Sequence, residues 1–156
     1  MNRETATNDI QKVLKDPKWN AMFLQYTLSA YCPENVMAWN SIQKFKSVSD
    51  RTRRELLPVI ADTYLREGAP LELNIARKAF NNFEDIFSLI QSLKEDVVVE
   101  QNLLEMVSPR RRKTIIPIHT DLLDKIERVC ELNMIDNFDR FYADNYNQLQ
   151  QDLGIS

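Results

Sequence analysis

Three polar pairs lie at the junctions between apolar stretches, where side chains can be held out for chemistry or for a partner. The pairs are Glu34 with Asn35, Glu72 with Asn74, and Asp136 with Arg140. Carboxylates and amides at helix starts satisfy free backbone N–H groups, and an i,i+4 acid–base pair stabilises a helix. The same amide can instead donate to one group and accept from another without ionising. The residues alone leave capping and partner binding open.

Residues suited to catalysis are few. The single histidine, His119, adjoins a proline-rich stretch, which is typical of a solvated side chain. Neither Cys32 nor Cys130 has neighbours that would lower a thiol pKa, and Cys130 falls on an apolar helix face, as a buried inert thiol would. No metal-ligand spacing or glycine-rich phosphate loop is present. The sequence therefore predicts no catalytic residue, no cofactor and no metal, so the protein is not expected to be an enzyme.

The composition predicts a single all-α domain over residues 1–156. The 156 residues include 44% hydrophobic side chains and two glycines, and apolar residues recur at three and four positions. A net charge of -3 argues against general nucleic-acid binding. Two distant cysteines favour a reducing compartment, and no apolar run has the length of a membrane span or a signal peptide. We expect a cytoplasmic protein.

The first elements have clear local signals. A short helix is expected over Asn8–Leu14, followed by Asp16 as the N-cap and Pro17 as the first residue of a second helix. Helical spacing places five residues on one face of this second helix: Trp19, Met22, Phe23, Tyr26 and Ala30.

A third helix is expected to start at Pro33, with Cys32 in the cap position. Residues 47–55 then form a charged linker, Pro58 begins or kinks the next helix, and Gly68 closes that helix in a left-handed conformation. The core-facing residues of the third helix are Val36, Trp39, Ile42 and Phe45.

The second half of the chain is less regular. A longer helix is expected from about Ile75, and residues 97–107 could continue as a helix or a strand, with their second part favouring a helix. Residues 108–119 are interpreted as a loop because they carry two prolines and a basic run. Helices resume at Thr120, and the last one has Asp136 near its start.

The basic run allows two interpretations. It is either a solvated cluster of loop charges or a contact with an anionic membrane surface or an acidic partner, since each basic residue near anionic lipid gains about 1 kcal/mol. The run consists of Arg110, Arg111, Arg112 and Lys113.

Three segments together resemble the RGS domain, the regulator of G-protein signalling. "YCPENVMAW" (31–39) resembles the motif in which Glu-Asn precedes an apolar residue and a tryptophan. "TYLREGAPLELNI" (63–75) resembles the motif of an aromatic helix, a small-residue turn and Glu-x-Asn. "LNMIDNFDRFYADNY" (132–146) resembles the third, with an aspartate, an aromatic residue and Arg-Phe. The order is that of the family, and the resemblance covers about Trp19 to Leu149.

The resemblance implies an all-α domain of about nine helices with a four-helix bundle, whose loops bind the switch regions of a G-protein α subunit (Gα) in its transition state for GTP hydrolysis. It implies that Asn35 touches the catalytic glutamine of Gα, that Asp136 caps the switch I backbone, and that Arg140 holds the Asp136 carboxylate. The implied Gα-binding residues are Cys32, Glu34, Asn35, Glu72, Asn74, Leu132, Asp136, Asn137 and Arg140.

Two features depart from the family pattern. Cys32 stands where many members have serine, and Asn74 and Leu132 are about twice as far apart as usual. The excess falls at about 92–119, within a domain core of about 17–150, and implies one longer helix plus an added loop. The expected function is GTPase activation of Gα in the cytoplasm, with recruitment to the inner face of the plasma membrane. The alternative is a scaffold that binds Gα or another partner without accelerating hydrolysis.

Overall fold

The computed structural model describes residues 2–76, 82–106 and 117–155, and confirms the all-α class. The described residues hold seven α-helices and one π-helical turn, compared with the nine helices that the resemblance implies. The elements are α1 (Arg3–Lys15), α2 (Pro17–Ser29), α3 (Glu34–Ser47), α4 (Asp50–Ile60), a π-helical turn (Ala61–Leu65), α5 (Asn82–Met106), α6 (Asp124–Asn133) and α7 (Ile135–Leu153).

The start of α2 follows its local sequence signals. Asp16 is the N-cap, its Oδ1 accepts a hydrogen bond from the Trp19 N–H at 3.0 Å, and Pro17 is the first helical residue, as predicted. Helix α1 is longer than the predicted Asn8–Leu14. It also contributes to the core, although it precedes the predicted core boundary at residue 17. Its buried apolar residues are Ala6, Ile10, Val13 and Leu14.

An aromatic cluster joins α2 to α7. The Phe23 ring lies 5.9 Å from Phe138 and 5.0 Å from Phe141, between ring centroids, and Trp19 meets Phe141 edge-on at 6.0 Å. Large aromatic side chains bury much apolar surface, and these ring geometries are favourable. The cluster therefore fixes α7 against α2. Met22 and Ala30, which were expected on the same face of α2, are exposed.

Only Val48 and Ser49 separate α3 from α4. The four core-facing residues predicted for α3 are buried. The predicted linker over 47–55 is wrong, because Ser49 caps α4 by accepting a hydrogen bond from the Thr52 N–H. Pro58 lies inside α4, and the helix widens into the π-helical turn three residues later. Gly68 is left-handed, with φ of +76°, but it lies in the turn beyond the helix end at Leu65.

Residues 92–106 of the expected insertion continue α5, so the longer helix is confirmed and the strand alternative for 97–106 is wrong. Residues 75 and 76 are not helical, contrary to the expected helix start at Ile75, and 77–81 lie outside the described residues. Most of the predicted loop over 108–119, including Arg110, Arg111, Arg112 and Lys113, also lies outside the described residues.

The chain returns to the core at Ile118, which is buried. Its N–H donates to Asp50 Oδ1 at 2.6 Å, and its carbonyl accepts from Arg53 Nε at 2.9 Å. Two residues of α4 therefore hold both polar groups of Ile118. Residues 120–123 form a turn, so the helix predicted from Thr120 starts at Asp124 instead.

Helix α3 packs against α4 and α6, α4 packs against α5, and α1 and α2 pack against α7. At the far end of α3, Lys46 bridges to Asp124 at 2.6 Å and to Glu127, which holds α6 against α3. This packing brings the α2–α3 junction close to the α6–α7 junction. Among the described helices, none is both long and apolar enough to cross a bilayer.

A buried carboxyl on α1 makes stability depend on pH. Asp9 is 4% exposed, and its Oδ2 has no hydrogen-bond partner among the described residues. Burial raises the pKa of Asp9 above its usual 3.8, and the opposing effect of Lys12 is smaller. The folded state therefore binds the proton more tightly than the unfolded state. The free energy of unfolding should fall as the pH rises from about 4 through the raised pKa.

We expect Asp9→Asn to raise the free energy of unfolding at pH 7 by about 1 kcal/mol, because the amide keeps the shape without the buried charge. The stabilisation should shrink towards pH 4, where the native carboxyl is protonated. Urea denaturation at several pH values measures both effects. The matched control is Asp139→Asn, an exposed aspartate of α7. A gain no larger than that of the control would contradict the assignment.

Candidate functional site

The junction between α2 and α3 is a tight helix ending. The Cys32 N–H donates to the Thr27 carbonyl at 2.9 Å, and the Tyr31 N–H donates to the Leu28 carbonyl at 3.1 Å. This is the Schellman pattern, in which one residue takes a left-handed conformation that glycine adopts most easily. Here Tyr31 takes it, with φ of +57°, and its side chain is 94% exposed.

Neither α3 nor α7 begins with a side-chain cap. The N-cap residue of α3 is Pro33, not Cys32 as predicted, and that of α7 is Met134. Asn35 and Asp136 each lie second in their helix and cap nothing. The capping interpretation is therefore wrong for both residues, although the Asp136 carboxylate still has a favourable place in the first turn of α7.

The amide of Asn133, at the end of α6, connects the three junctions. Its Nδ2 donates to Asn35 Oδ1 at 3.2 Å and to the backbone carbonyl of Asn74 at 3.0 Å. Asn35 is 7% exposed, whereas the Asn74 residue is exposed. Three segments thus meet at the Asn133 side chain: the start of α3, the segment after the π-helical turn and the end of α6.

A second amide contact lies beside the first. Asn137 Nδ2 on α7 donates to Cys32 Sγ at 3.2 Å, across the same boundary. Burial raises the pKa of the Cys32 thiol, and the Glu34 carboxylate raises it further, against the smaller opposing effect of the Asn137 amide. Cys32 is therefore a neutral thiol that accepts a hydrogen bond at neutral pH.

The buried thiol of Cys130 lies on α6 and is fully covered. Burial, together with the nearby carboxylates of Glu131 and Glu127, raises its pKa to about 12. A thiol with such a pKa is protonated and unreactive at neutral pH, in agreement with the inert role expected from the sequence.

The remaining expected contact residues are close in sequence to these junctions. Glu72 is exposed and accepts a hydrogen bond from the Gly68 N–H at 2.9 Å, which orders the turn. Leu132 is 39% exposed. Asp136 and Arg140 are both exposed. The ion pair expected between them is not formed in the described part of the chain.

Two residues of this surface were not assigned from the sequence. Asn133 lies within the third motif, but its role depends on partners 98 and 59 residues away. Tyr31 lies within the first motif. Its position between a helix end and Cys32-Pro33 is the sequence feature that could have indicated its unusual backbone conformation. A large aromatic side chain that is fully exposed and held at positive φ needs a reason beyond folding.

A comparison with family models identifies the family of this chain. Residues 9–149 match the family model described as the Regulator of G protein signaling domain. Because the match covers most of the chain, the protein belongs to this family, and regulation of G-protein signalling is its function class. No curated protein matches the sequence. Among the described residues, no group of histidine, cysteine, aspartate or glutamate side chains could hold a metal ion.

Proposed function

We propose that this protein accelerates GTP hydrolysis by a heterotrimeric Gα subunit and contributes no catalytic group of its own. It binds the switch regions of Gα through the face formed by the α2–α3 junction, the turn around Glu72 and Asn74, and the α6–α7 junction. Asn35 contacts the catalytic glutamine of Gα, and Asp136 accepts hydrogen bonds from the switch I backbone. The other contacts come from Cys32, Glu34, Glu72, Asn74, Leu132, Asn137 and Arg140.

The observation that carries the proposal is the convergence of Asn35 and Asn74 on the Asn133 amide. Residues from two separate motifs of the family are held in one hydrogen-bonded group, with exposed Leu132 adjoining Asn133. Capping does not account for Asn35, so its position favours a role towards a partner.

Positioning is sufficient for this function. Gα carries an arginine in cis that stabilises the transition state, and its glutamine orients the attacking water. Holding these mobile groups in the productive geometry lowers the activation barrier without new chemistry. A reduction of about 2 to 3 kcal/mol would accelerate hydrolysis roughly 30- to 150-fold.

The alternative function is a scaffold that binds Gα without accelerating hydrolysis. Two departures from the family pattern favour it. Asp136 and Arg140 form no ion pair in the described part of the free protein, and the group that accepts the hydrogen bond from Asn137 is the Cys32 thiol, where many family members have serine. A scaffold would bind the ground state of Gα as well as the transition state.

Affinity for different nucleotide states of Gα separates the two functions. A GTPase activator should bind Gα with GDP, aluminium fluoride and magnesium at least about tenfold more tightly than the ground state, Gα with a non-hydrolysable GTP analogue, because it complements the transition state. Titration by isothermal calorimetry against both states gives the ratio. Equal affinities would leave the scaffold and defeat the activator.

Tyr31 provides a prediction that separates stability from binding. We expect Tyr31→Gly to raise the free energy of unfolding by about 1 kcal/mol, because glycine adopts the left-handed conformation without steric cost. The same change should weaken binding to transition-state Gα about tenfold, since an exposed aromatic anchor is removed. Thermal denaturation and calorimetry on one preparation measure both.

The matched control is Tyr146→Ala, which removes another exposed tyrosine from α7. Alanine is used there because glycine would destabilise the helix. It should leave the affinity for Gα unchanged. Unchanged binding by Tyr31→Gly would remove Tyr31 from the proposed interface and leave only its conformational effect.

A further inference from the structure

The Asn133 bridge determines the direction of every hydrogen bond in its group. A backbone carbonyl can only accept, so the atom of Asn133 that lies 3.0 Å from the Asn74 carbonyl must be the amide nitrogen. The same nitrogen lies 3.2 Å from the side chain of Asn35, and it can only donate there as well. Asn35 must therefore turn its oxygen inwards.

This orientation leaves the Asn35 amide nitrogen for a partner. Asn35 is 7% exposed, and no acceptor for its Nδ2 is recorded in the described ranges. Its carbonyl oxygen is already engaged by a neighbour, and the side chain cannot rotate by half a turn without placing two N–H₂ groups against each other. The surface consequently offers the Asn35 N–H₂ group as a hydrogen-bond donor.

We propose that Asn133 is a positioning residue that fixes Asn35 as a donor, so that the site selects a carbonyl oxygen on Gα. This inference rests on the proposed function. Asn133 itself need not touch Gα, because it acts through Asn35, while the Asn74 carbonyl fixes the orientation of the Asn133 amide. The group recognised is an acceptor, either the side-chain carbonyl of the catalytic glutamine or a backbone carbonyl in a switch segment.

Asn133→Asp is the sharpest test, because it keeps the shape and reverses the hydrogen-bond direction. The introduced carboxylate only accepts, so it should draw the Asn35 N–H₂ inwards and present the Asn35 oxygen to Gα. We expect the single-turnover acceleration to fall about tenfold. Asn133→Ala removes the donor without adding charge, and should cost about threefold, because Asn35 then samples both orientations.

The chain offers a matched control between α2 and α3, where Asn20 contacts Asn40. Asn20 Nδ2 likewise donates to one backbone and one amide acceptor, the Leu14 carbonyl at 2.9 Å and Asn40 Oδ1 at 2.7 Å, and Asn40 Nδ2 donates back to Asn20 Oδ1 at 3.1 Å. Asn20→Asp should lower the thermal stability about as much as Asn133→Asp and leave the acceleration unchanged. Equal losses of acceleration in both variants would show that only stability is affected, and would overturn the proposal.

A double-mutant cycle gives a readout that a merely structural role would not change. In the Asn35→Ala background, Asn133→Asp should cause no further loss of acceleration, because the residue through which Asn133 acts is absent. Additive losses, or full acceleration by Asn133→Asp alone, would contradict the positioning role.

The orientation of Asn35 can also be measured in the free protein, independently of Gα. Asn133→Ala should shift the side-chain amide resonances of Asn35 in a proton–nitrogen correlation spectrum, and Asn20→Ala should not. If the wild-type protein accelerated no Gα, the proposed function would fail while this shift still supported the Asn133 contact. Unchanged Asn35 resonances would overturn the contact whatever the outcome with Gα.

Discussion

Asn35→Ala should reduce the acceleration of single-turnover GTP hydrolysis about tenfold or more, because a hydrogen bond made in the transition state disappears. The fold should tolerate the change. Asn35 caps nothing, alanine favours helix more than asparagine does, and the lost bond from Asn133 contributes only about 1 kcal/mol. A thermal melt and a hydrolysis assay on the same sample separate loss of stability from loss of function.

The control for this variant lies on the same helix. Asn40 exchanges side-chain hydrogen bonds with Asn20, so Asn40→Ala removes a comparable amide contact away from the proposed interface. It should lower the melting temperature without changing the acceleration. Full acceleration by a folded Asn35→Ala protein would remove Asn35 from the mechanism.

Asp136→Ala should weaken binding to transition-state Gα about 10- to 100-fold. The Asp136 side chain is exposed and unpaired with Arg140 in the free protein, so its carboxylate is open to accept from backbone N–H groups of a partner. Hydrogen bonds to a charged group are worth about 1.5 to 3 kcal/mol, which corresponds to this range of affinity. Calorimetric titration with Gα, GDP and aluminium fluoride measures the loss.

Asp139→Ala is the comparison for Asp136→Ala, since Asp139 is also an exposed aspartate in the first turns of α7. Both variants remove one exposed negative charge from α7, and Asp136→Ala also removes the favourable charge in its first turn, which costs about 0.3 to 1 kcal/mol of stability. Only Asp136→Ala should change the affinity. An equal loss of affinity in both variants would show that Gα responds to the net charge of this surface and not to a specific contact with Asp136.

Elements encoded by neighbouring residues were predictable. Asp16 with Pro17 defined the start of α2, and helical spacing identified the buried face of α3, because caps and periodicity depend on a few adjacent residues. The same local logic was available at Ser49, but the surrounding charges were interpreted as a linker. The N-cap bond from Thr52 to Ser49 shows that a charged stretch can be helical when its cap and buried face are in place.

The candidate site was predictable only as a set of residues, not as an arrangement. The motifs identified Asn35 and Asn74 by resemblance, whereas the bridge between them comes from Asn133, 98 residues beyond Asn35. Local reasoning also favoured capping for Asn35, and the start of α3 at Glu34 with Pro33 as N-cap overrules it. The left-handed Tyr31 follows from how α2 ends and α3 begins, a constraint that residue propensities oppose.

Single-turnover GTP hydrolysis by a panel of Gα subunits, measured with and without this protein, tests the central claim most directly. We predict that the rate constant rises roughly 30- to 150-fold for at least one Gα, which corresponds to about 2 to 3 kcal/mol of barrier, and that the protein alone hydrolyses no GTP. Tight binding to a Gα whose hydrolysis rate stays unchanged, with no acceleration of any other member of the panel, would contradict the account.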